Sequence, residues 1–326
     1  MDARSEHLIM ILVAFGAGLF ITLLLGVALV PLLYRLRFGQ EVRSDGPSSH
    51  LKKKGTATMG GLMILGGTGL ASLLLAGAFP AVWLLLGATF GCGFLGFLDD
   101  YLKVVLRRPL GLRARSKLLG QLIVGIMVGC GLHFLGRGTS IWIPVVGVTI
   151  NTGIFYYIFV IFLLMGTTNA VNLTDGLDGL ASGLMAIVSG AYVFVAWRCG
   201  QASTALFAAA LAGSCLGFLR YNYHPARVFM GDTGSLALGG ALAALAALTR
   251  TELLLLIFGG VFVVETLSVM IQVISFRLTG RRVFKMSPLH HHFELSGWPE
   301  VRVVHFFWLL GFCLAVLGIW MFKGYC

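Results

Sequence analysis

Apolar runs long enough to cross a lipid bilayer recur along this chain from end to end, and no other feature restricts its fold so severely. A hydrocarbon core needs about 20 helical residues. Hydropathy marks ten candidate spans: Leu8 to Tyr34, Gly60 to Gly77, Val82 to Leu98, Leu118 to Leu135, Ile154 to Ala170, Leu180 to Trp197, Thr204 to Leu219, Leu236 to Leu248, Leu253 to Phe276 and Val303 to Phe322. Inside lipid every backbone polar group needs an internal partner, so these runs are read as helices. With 58% hydrophobic and 11% charged residues, a water-soluble fold is excluded. The chain therefore reads as an all-α polytopic membrane protein of about ten transmembrane helices, a single domain over residues 1–326. The first run is too long for the apolar region of a signal peptide and lacks a small-x-small cleavage site, so it is expected to stay as the first span. The eighth run is the shortest, and a full crossing requires it to extend into Thr233 to Ser235 or Thr249.

Charge orients the bundle. Nineteen of the 24 lysines and arginines fall in the segments after spans one, three, five, seven and nine, leaving Arg4, Arg137, Arg198, Arg250 and Lys323 for the other face. By the positive-inside rule the first set is cytoplasmic and both termini lie outside. The net charge of +11 is thus mostly a topological signal, although a basic inner face also attracts anionic lipid and polyphosphates. Nucleic acid is not an expected partner, because no soluble domain is present to carry it. On the outer side, β-branched and aromatic residues around Pro144 and Gly147 predict a small hairpin near residues 139–150. Cys92, Cys130, Cys215 and Cys313 lie in spans, and none of the six cysteines has metal-ligand spacing. Gly91-Cys-Gly93-Phe-Leu-Gly96 spells a dinucleotide motif, but inside an apolar span it reads as close helix packing, as does Gly213-x-x-x-Gly217. Asn172-Leu-Thr174 is a glycosylation triplet by spelling only, since it faces the cytoplasm.

The same charge reading gathers five aspartates on the inner face: Asp99, Asp100, Asp175, Asp178 and Asp232. Carboxylates at a membrane face are costly to place and point to chemistry. Asp99 and Asp100 are followed by Lys103 and Lys117, with structural salt bridging as the plain alternative. Adjacent acids on a helix end point about 100° apart, so one can face a metal and the other a second group. Asn169, Asn172, Asp175 and Asp178 recur at spacings of three, and on a helix or its capped start they would share one face. Asn222, Phe229 and Asp232 lie close together in the next inner loop, where Asp232-Thr-Gly-Ser opens a span and a carboxylate could serve as a helix cap. The first inner loop offers Lys53, Thr58 and Gly60-Gly61 for close approach to an anion. The last holds His290-His291-His292, which cannot all ligate one metal from a regular helix and so suit phosphate or sugar contacts better than zinc. Glu265, inside a span, is expected to pack or hydrogen-bond within the bundle. Carboxylates with lysine and histidine on one face suit magnesium-assisted phosphoryl transfer.

Lys53-Lys-Gly-Thr-Ala-Thr-Met-Gly-Gly61, Phe97-Leu-Asp-Asp100-Tyr, Asn169-Ala-Val-Asn-Leu-Thr-Asp-Gly-Leu-Asp-Gly179, Phe229-Met-Gly-Asp-Thr-Gly-Ser235 and Pro288-Leu-His-His-His-Phe-Glu294 resemble, in order, the motifs of the bacterial phospho-N-acetylmuramoyl-pentapeptide transferases. Ala57 departs from the proline usual there. The resemblance implies a ten-span fold with both termini outside, in the bacterial inner membrane. It also implies transfer of phospho-N-acetylmuramoyl-pentapeptide from UDP-N-acetylmuramoyl-pentapeptide to undecaprenyl phosphate, giving lipid I and UMP with Mg2+ required. The expected partners are those two substrates and membrane lipid, with a homodimer left open. By resemblance Asp232 is the magnesium ligand, Asp99 deprotonates or orients the lipid phosphate, and Asp100 is its partner. Lys53, Thr58, Lys117, Asn172, Asp175, Asp178, Asn222, Phe229 and Gln272 are expected substrate contacts, with Phe229 able to stack on uracil. His290, His291 and His292 are expected to reach the diphosphate or sugar, His291 in a catalytic role. Direct displacement is favoured over a covalent phospho-enzyme, since the lipid phosphate is already a nucleophile. The rivals are a sister transferase using UDP-N-acetylglucosamine and, in a different class, an ion-coupled transporter.

Overall fold

The computed structural model describes residues 3–36, 55–108 and 110–322. Among them, nine helices are long and apolar enough to cross a membrane, and Gly61–Ala76 adds a shorter apolar helix. In chain order the helices are α1 (Ala3–Arg35), α2 (Gly61–Ala76), α3 (Pro80–Val104), α4 (Ala114–Phe134), α5 (Phe155–Thr174), α6 (Leu180–Arg198), α7 (Ala202–Asn222), α8 (Gly231–Thr249), α9 (Leu255–Phe258), α10 (Gly260–Thr279), α11 (Leu289–Glu294) and α12 (Glu300–Phe322). The short eighth run does extend in both directions, to Gly231 and Thr249, and the ninth is divided at Gly259 into α9 and α10. The expected hairpin is present: β1 (Ser140–Ile143) pairs antiparallel with β2 (Val148–Asn151), with Ser140 opposite Asn151 and Ile143 opposite Val148.

Helix α8 is the central post. Every residue from Thr233 to Thr249 is buried, and α3, α5 and α2 pack around it. Between helices already surrounded by lipid, association depends on close van der Waals packing, which small residues permit. At Gly240 an added Cβ would lie 2.7 Å from the Ala88 carbonyl oxygen on α3, and at Gly239 one would lie 2.4 Å from Thr168 Cα on α5. The two glycine patterns read from sequence as packing surfaces behave that way. A Cβ at Gly213 on α7 would stand 2.0 Å from the Phe15 carbonyl oxygen on α1, and one at Gly96 on α3 would stand 2.0 Å from the Asp232 carbonyl oxygen on α8.

A buried polar knot closes the hairpin end of the bundle. Arg137, just after α4, forms an ion pair with Glu252 and donates from Nε to the Ala247 carbonyl (2.8 Å) and from Nη1 to the Ser140 carbonyl (2.6 Å). Tyr156 donates its hydroxyl to Glu252 at 2.6 Å, and its ring lies 4.4 Å beneath the guanidinium. These contacts tie α4, α5, α8 and the hairpin together. The aspartates singled out above lie at the opposite end.

Candidate active site

The backbone contact at Gly96 decides where the acids meet. One turn later α3 presents Asp99 and Asp100, both buried, directly beside the first turn of α8. Asp100 turns toward that helix. Its Oδ1 accepts from the Asp232 backbone N–H (3.1 Å), and its Oδ2 accepts from the Thr233 N–H (2.9 Å) and hydroxyl (2.7 Å). The first N–H groups of a helix lack partners within it and carry partial positive charge, so Asp100 serves as a cap supplied from another helix. Gly231 makes this possible. Its φ is 74°, and a Cβ there would come within 2.5 Å of Asp100 Oδ2 and 2.9 Å of Thr58 Oγ1.

Asp99 faces the other way, accepting from the Leu112 N–H and pairing with Lys103. The Lys103 and Lys117 ammonium groups each lie 3.1 Å from Asp232 Oδ2. Lys117 also donates to Asn172 Oδ1 at 3.3 Å, and Asn172 Nδ2 donates to Asp232 Oδ1 and to Ser235 Oγ, both at 2.8 Å. Asp175, half-buried just past α5, faces the same basin. Burial first, then the charges of Asp232, Asp100 and Asp178, push its carboxyl well above the ordinary carboxylate range. Asp99, Asp100 and Asp232 outnumber the two ammonium groups beside them, and the Asp175 carboxyl adds further oxygens. An excess of carboxylate oxygens with no thiol or imidazole among them fits a hard divalent cation such as Mg2+, and Lys103 already holds positive charge between Asp99 and Asp232.

The spacing of three through Asn169 to Asp178 does not produce one helical face. α5 ends at Thr174, so Asn169 and Asn172 sit on its last turns while Asp175 and Asp178 occupy the turn that follows. Asn169 donates to Gln121 on α4 at 3.0 Å. Asp178 accepts from the Ala226 N–H (3.1 Å) and lies 3.0 Å from His224 Nδ1, and its own N–H donates to Glu300 at 2.8 Å. Asp178, His224 and Glu300 bring one ligand atom each within 4.8 Å of one another, and their mutual bonds clamp three loops. Asn222 is buried, with Oδ1 accepting from the Gly179 N–H (3.0 Å) and the Ser182 hydroxyl (3.2 Å) while Nδ2 donates to the Val228 carbonyl (3.0 Å). Half-buried Phe229 is held by its backbone: its N–H donates to Ala57 (2.8 Å) and its carbonyl accepts from Gly60 (2.9 Å). That pairing seats buried Thr58 beside the start of α8.

The last group lies across the Asp175–Asp178 turn. Gln272 on α10 donates to the Phe284 carbonyl (3.0 Å) and accepts from the Val283 (3.0 Å) and Phe284 (2.9 Å) N–H groups, fixing the chain ahead of α11. His290 is fully buried against Glu265. His291 Nδ1 lies 2.8 Å from Glu294, and His292 Nδ1 accepts from the Lys285 N–H at 3.1 Å. Lys53 lies outside the described residues. The partners that sequence reasoning missed are Thr233, Ser235, His224 and Glu300. Only Thr233 and Ser235 had a signal, as hydroxyls flanking a glycine at a helix start.

An oxygen-rich basin balanced by lysines at one end of an apolar bundle defines a membrane-embedded transferase of phosphorylated groups. In agreement, the family described as glycosyl transferase family 4 matches residues 82–250, a stretch that includes Asp99, Lys117, Asn172 and Asp232. The chain is 56% identical over 302 residues to the phospho-N-acetylmuramoyl-pentapeptide-transferase of Moorella thermoacetica, covering 92% of this chain and 95% of that protein. It is 54% identical over 308 residues to the enzyme of the same name from Bacillus pumilus (93% and 95% covered), and 52% identical over 332 residues to that of Desulforudis audaxviator (97% and 99% covered). The chain belongs to the phospho-N-acetylmuramoyl-pentapeptide-transferase family.

Proposed function

We propose that this protein transfers phospho-N-acetylmuramoyl-pentapeptide from its UDP donor to undecaprenyl phosphate, releasing UMP and forming lipid I at the cytoplasmic face of a bacterial inner membrane. The observation that carries the reading is Asp232, held by Lys103, Lys117 and Asn172 beside Asp99 at the mouth of the bundle. The charge distribution of the loops supports that orientation.

An oxygen of the lipid phosphate forms a bond to the donor β-phosphorus, and the bond from that phosphorus to the bridging oxygen breaks, with UMP as leaving group. Asp99 orients the attacking phosphate and accepts a proton if it carries one. Lys103 and Lys117 neutralise charge on the diphosphate, with Lys53 and Thr58 contributing from the first loop. Magnesium, when bound, is held by Asp232 and supplies further neutralisation of charge on the transferring group. Asp100 keeps Asp232 in place by capping α8, and Asn172 fixes the rotation of the Asp232 carboxylate. Asp175, Asp178, Asn222 and Phe229 bind the nucleoside diphosphate, Phe229 by stacking. Gln272, His291 and His292 recognise the rest of the donor, with His291 at the diphosphate.

The test is UMP release by purified protein with undecaprenyl phosphate, Mg2+ and either UDP-N-acetylmuramoyl-pentapeptide or UDP-N-acetylglucosamine. Turnover with the first alone is expected, and His291→Ala should lower it strongly while leaving magnesium dependence intact. Turnover with UDP-N-acetylglucosamine alone would place the activity in the sister class.

A further inference from the structure

Glu265 and His290 are both 0% exposed, one within the membrane-spanning α10 and the other in the second position of α11. A carboxylate at such depth requires a partner. Glu265 Oε2 lies 3.2 Å from His290 Nδ1 and accepts from the His290 backbone N–H at 3.4 Å. One carboxylate oxygen thus grips both the ring and the main chain of a single residue. Neither ring nitrogen completes a hydrogen bond: Nδ1 stands at ion-pair distance from the carboxylate, and the opposite nitrogen is Nε2. It points at Gly176, where an added Cβ would fall 2.3 Å from it. The imidazole therefore fills the space that a side chain at position 176 would take, and Gly176 is flanked by Asp175 and followed two residues later by Asp178.

We propose that Glu265 and His290 form a buried positioning pair for the Asp175–Asp178 turn, so that His290 acts on the donor through that turn and not by touching it. The assignment rests on the reading that this turn binds the nucleoside diphosphate. A carboxylate that accepts from the backbone N–H and stands at ion-pair distance from one ring nitrogen of the same residue restricts where that ring can lie. His292, whose Nδ1 accepts from the Lys285 N–H, carries its proton on Nε2 when neutral. The three consecutive histidines thus face three different partners: Glu265, Glu294 and the Lys285 N–H.

The experiment uses the full chain in lipid nanodiscs, with 15N-labelled histidine, UMP titration and steady-state kinetics at saturating undecaprenyl phosphate and Mg2+. Glu265→Ala should raise the donor KM and the UMP Kd by about 10- to 100-fold, as loss of a histidine-orienting carboxylate does elsewhere, with a much smaller change in kcat. The ring 15N signals that disappear in His290→Gln should shift in Glu265→Ala. Glu265→Gln, whose amide oxygen can accept from the same backbone N–H, should recover much of the affinity. Gly176→Ala should reproduce the affinity loss by displacing the ring, and with Glu265→Gln it carries the test if Glu265→Ala does not fold. A fall in kcat at unchanged donor KM would overturn the proposal in favour of direct contact between His290 and the reacting phosphate. Unchanged UMP affinity with an unshifted His290 signal would overturn it outright. Failure of the wild-type protein to bind UMP or use the muramoyl donor would instead refute the functional reading, leaving the NMR comparison to report on the pair.

Discussion

Replacing Gly96 with alanine tests whether backbone contact between α3 and α8 sets the chemistry. The added Cβ would lie 2.0 Å from the Asp232 carbonyl oxygen and 2.3 Å from its carbon, whereas ordinary contact begins at 3.4 Å. Both obstacles are backbone atoms in buried helices, so no side-chain rotation relieves the clash, and the helices must part by about 1 Å or more. Asp99 and Lys103 ride on α3 while Asp232 rides on α8, so the separation falls on the bridge between them. A misplacement of about 1 Å at reacting groups lowers rate by on the order of 100-fold, and overpacking of this kind destabilises by roughly 1–3 kcal/mol. Gly190→Ala in α6 is the matched control, since a Cβ there meets nothing within 4 Å. Turnover is read as UMP release and stability by thermal melting of purified protein. Gly96→Ala should lose activity out of proportion to its melting shift, while Gly190→Ala should keep both. Turnover by Gly96→Ala within about threefold of wild type would show that the contact does not position the acids.

Asp232→Asn keeps the shape of the side chain but removes the charge that Lys103 and Lys117 balance, so turnover should fall by several orders of magnitude while the protein still inserts and purifies. Retained magnesium-dependent turnover in that variant would move the metal elsewhere. In a background without native cysteines, a cysteine at Ser296 should react with a membrane-impermeant thiol reagent only after the inner face is opened, and one at Ser140 from outside. The reverse pattern would invert the topology. Glu252→Gln leaves buried Arg137 without its counter-charge, and should destabilise the protein by about 3–5 kcal/mol. It should do so without a specific loss of donor affinity, because the knot lies at the end remote from the site.

Those effects depend on contacts of very different legibility. The crossing helices were readable because length and apolarity are local properties, and the hairpin because β-branched residues flank a turn. The glycines at 96 and 213 were readable as packing surfaces, yet nothing local told which helix each would meet. Asp100 shows why: its partners, Asp232 and Thr233, are 132 and 133 residues away. The extension of the eighth span has the same origin, since Gly231 to Ser235 are held in the helix by a cap from α3. Around Asp175 the periodicity misled, because a spacing of three suits a helix and the chain instead leaves α5 at Thr174 and turns through Gly176 and Gly179, the latter at φ 79°. The histidine run displayed its residue types but concealed their division of labour, which comes from Glu265, Glu294 and Lys285.

From Leu236 to Leu248, α8 consists of leucine, alanine and glycine alone. At a rise of about 1.5 Å per residue, this inserts roughly 20 Å of polar-free helix between the acidic basin and the Arg137–Glu252 knot. Protons and cations that reach Asp232 find no hydroxyl, amide or carboxylate on this helix to carry them farther. The post that aligns the acids is thus also an electrical insulator. Along α8 the carboxylates gathered at one membrane face are kept apart from the charged knot at the other.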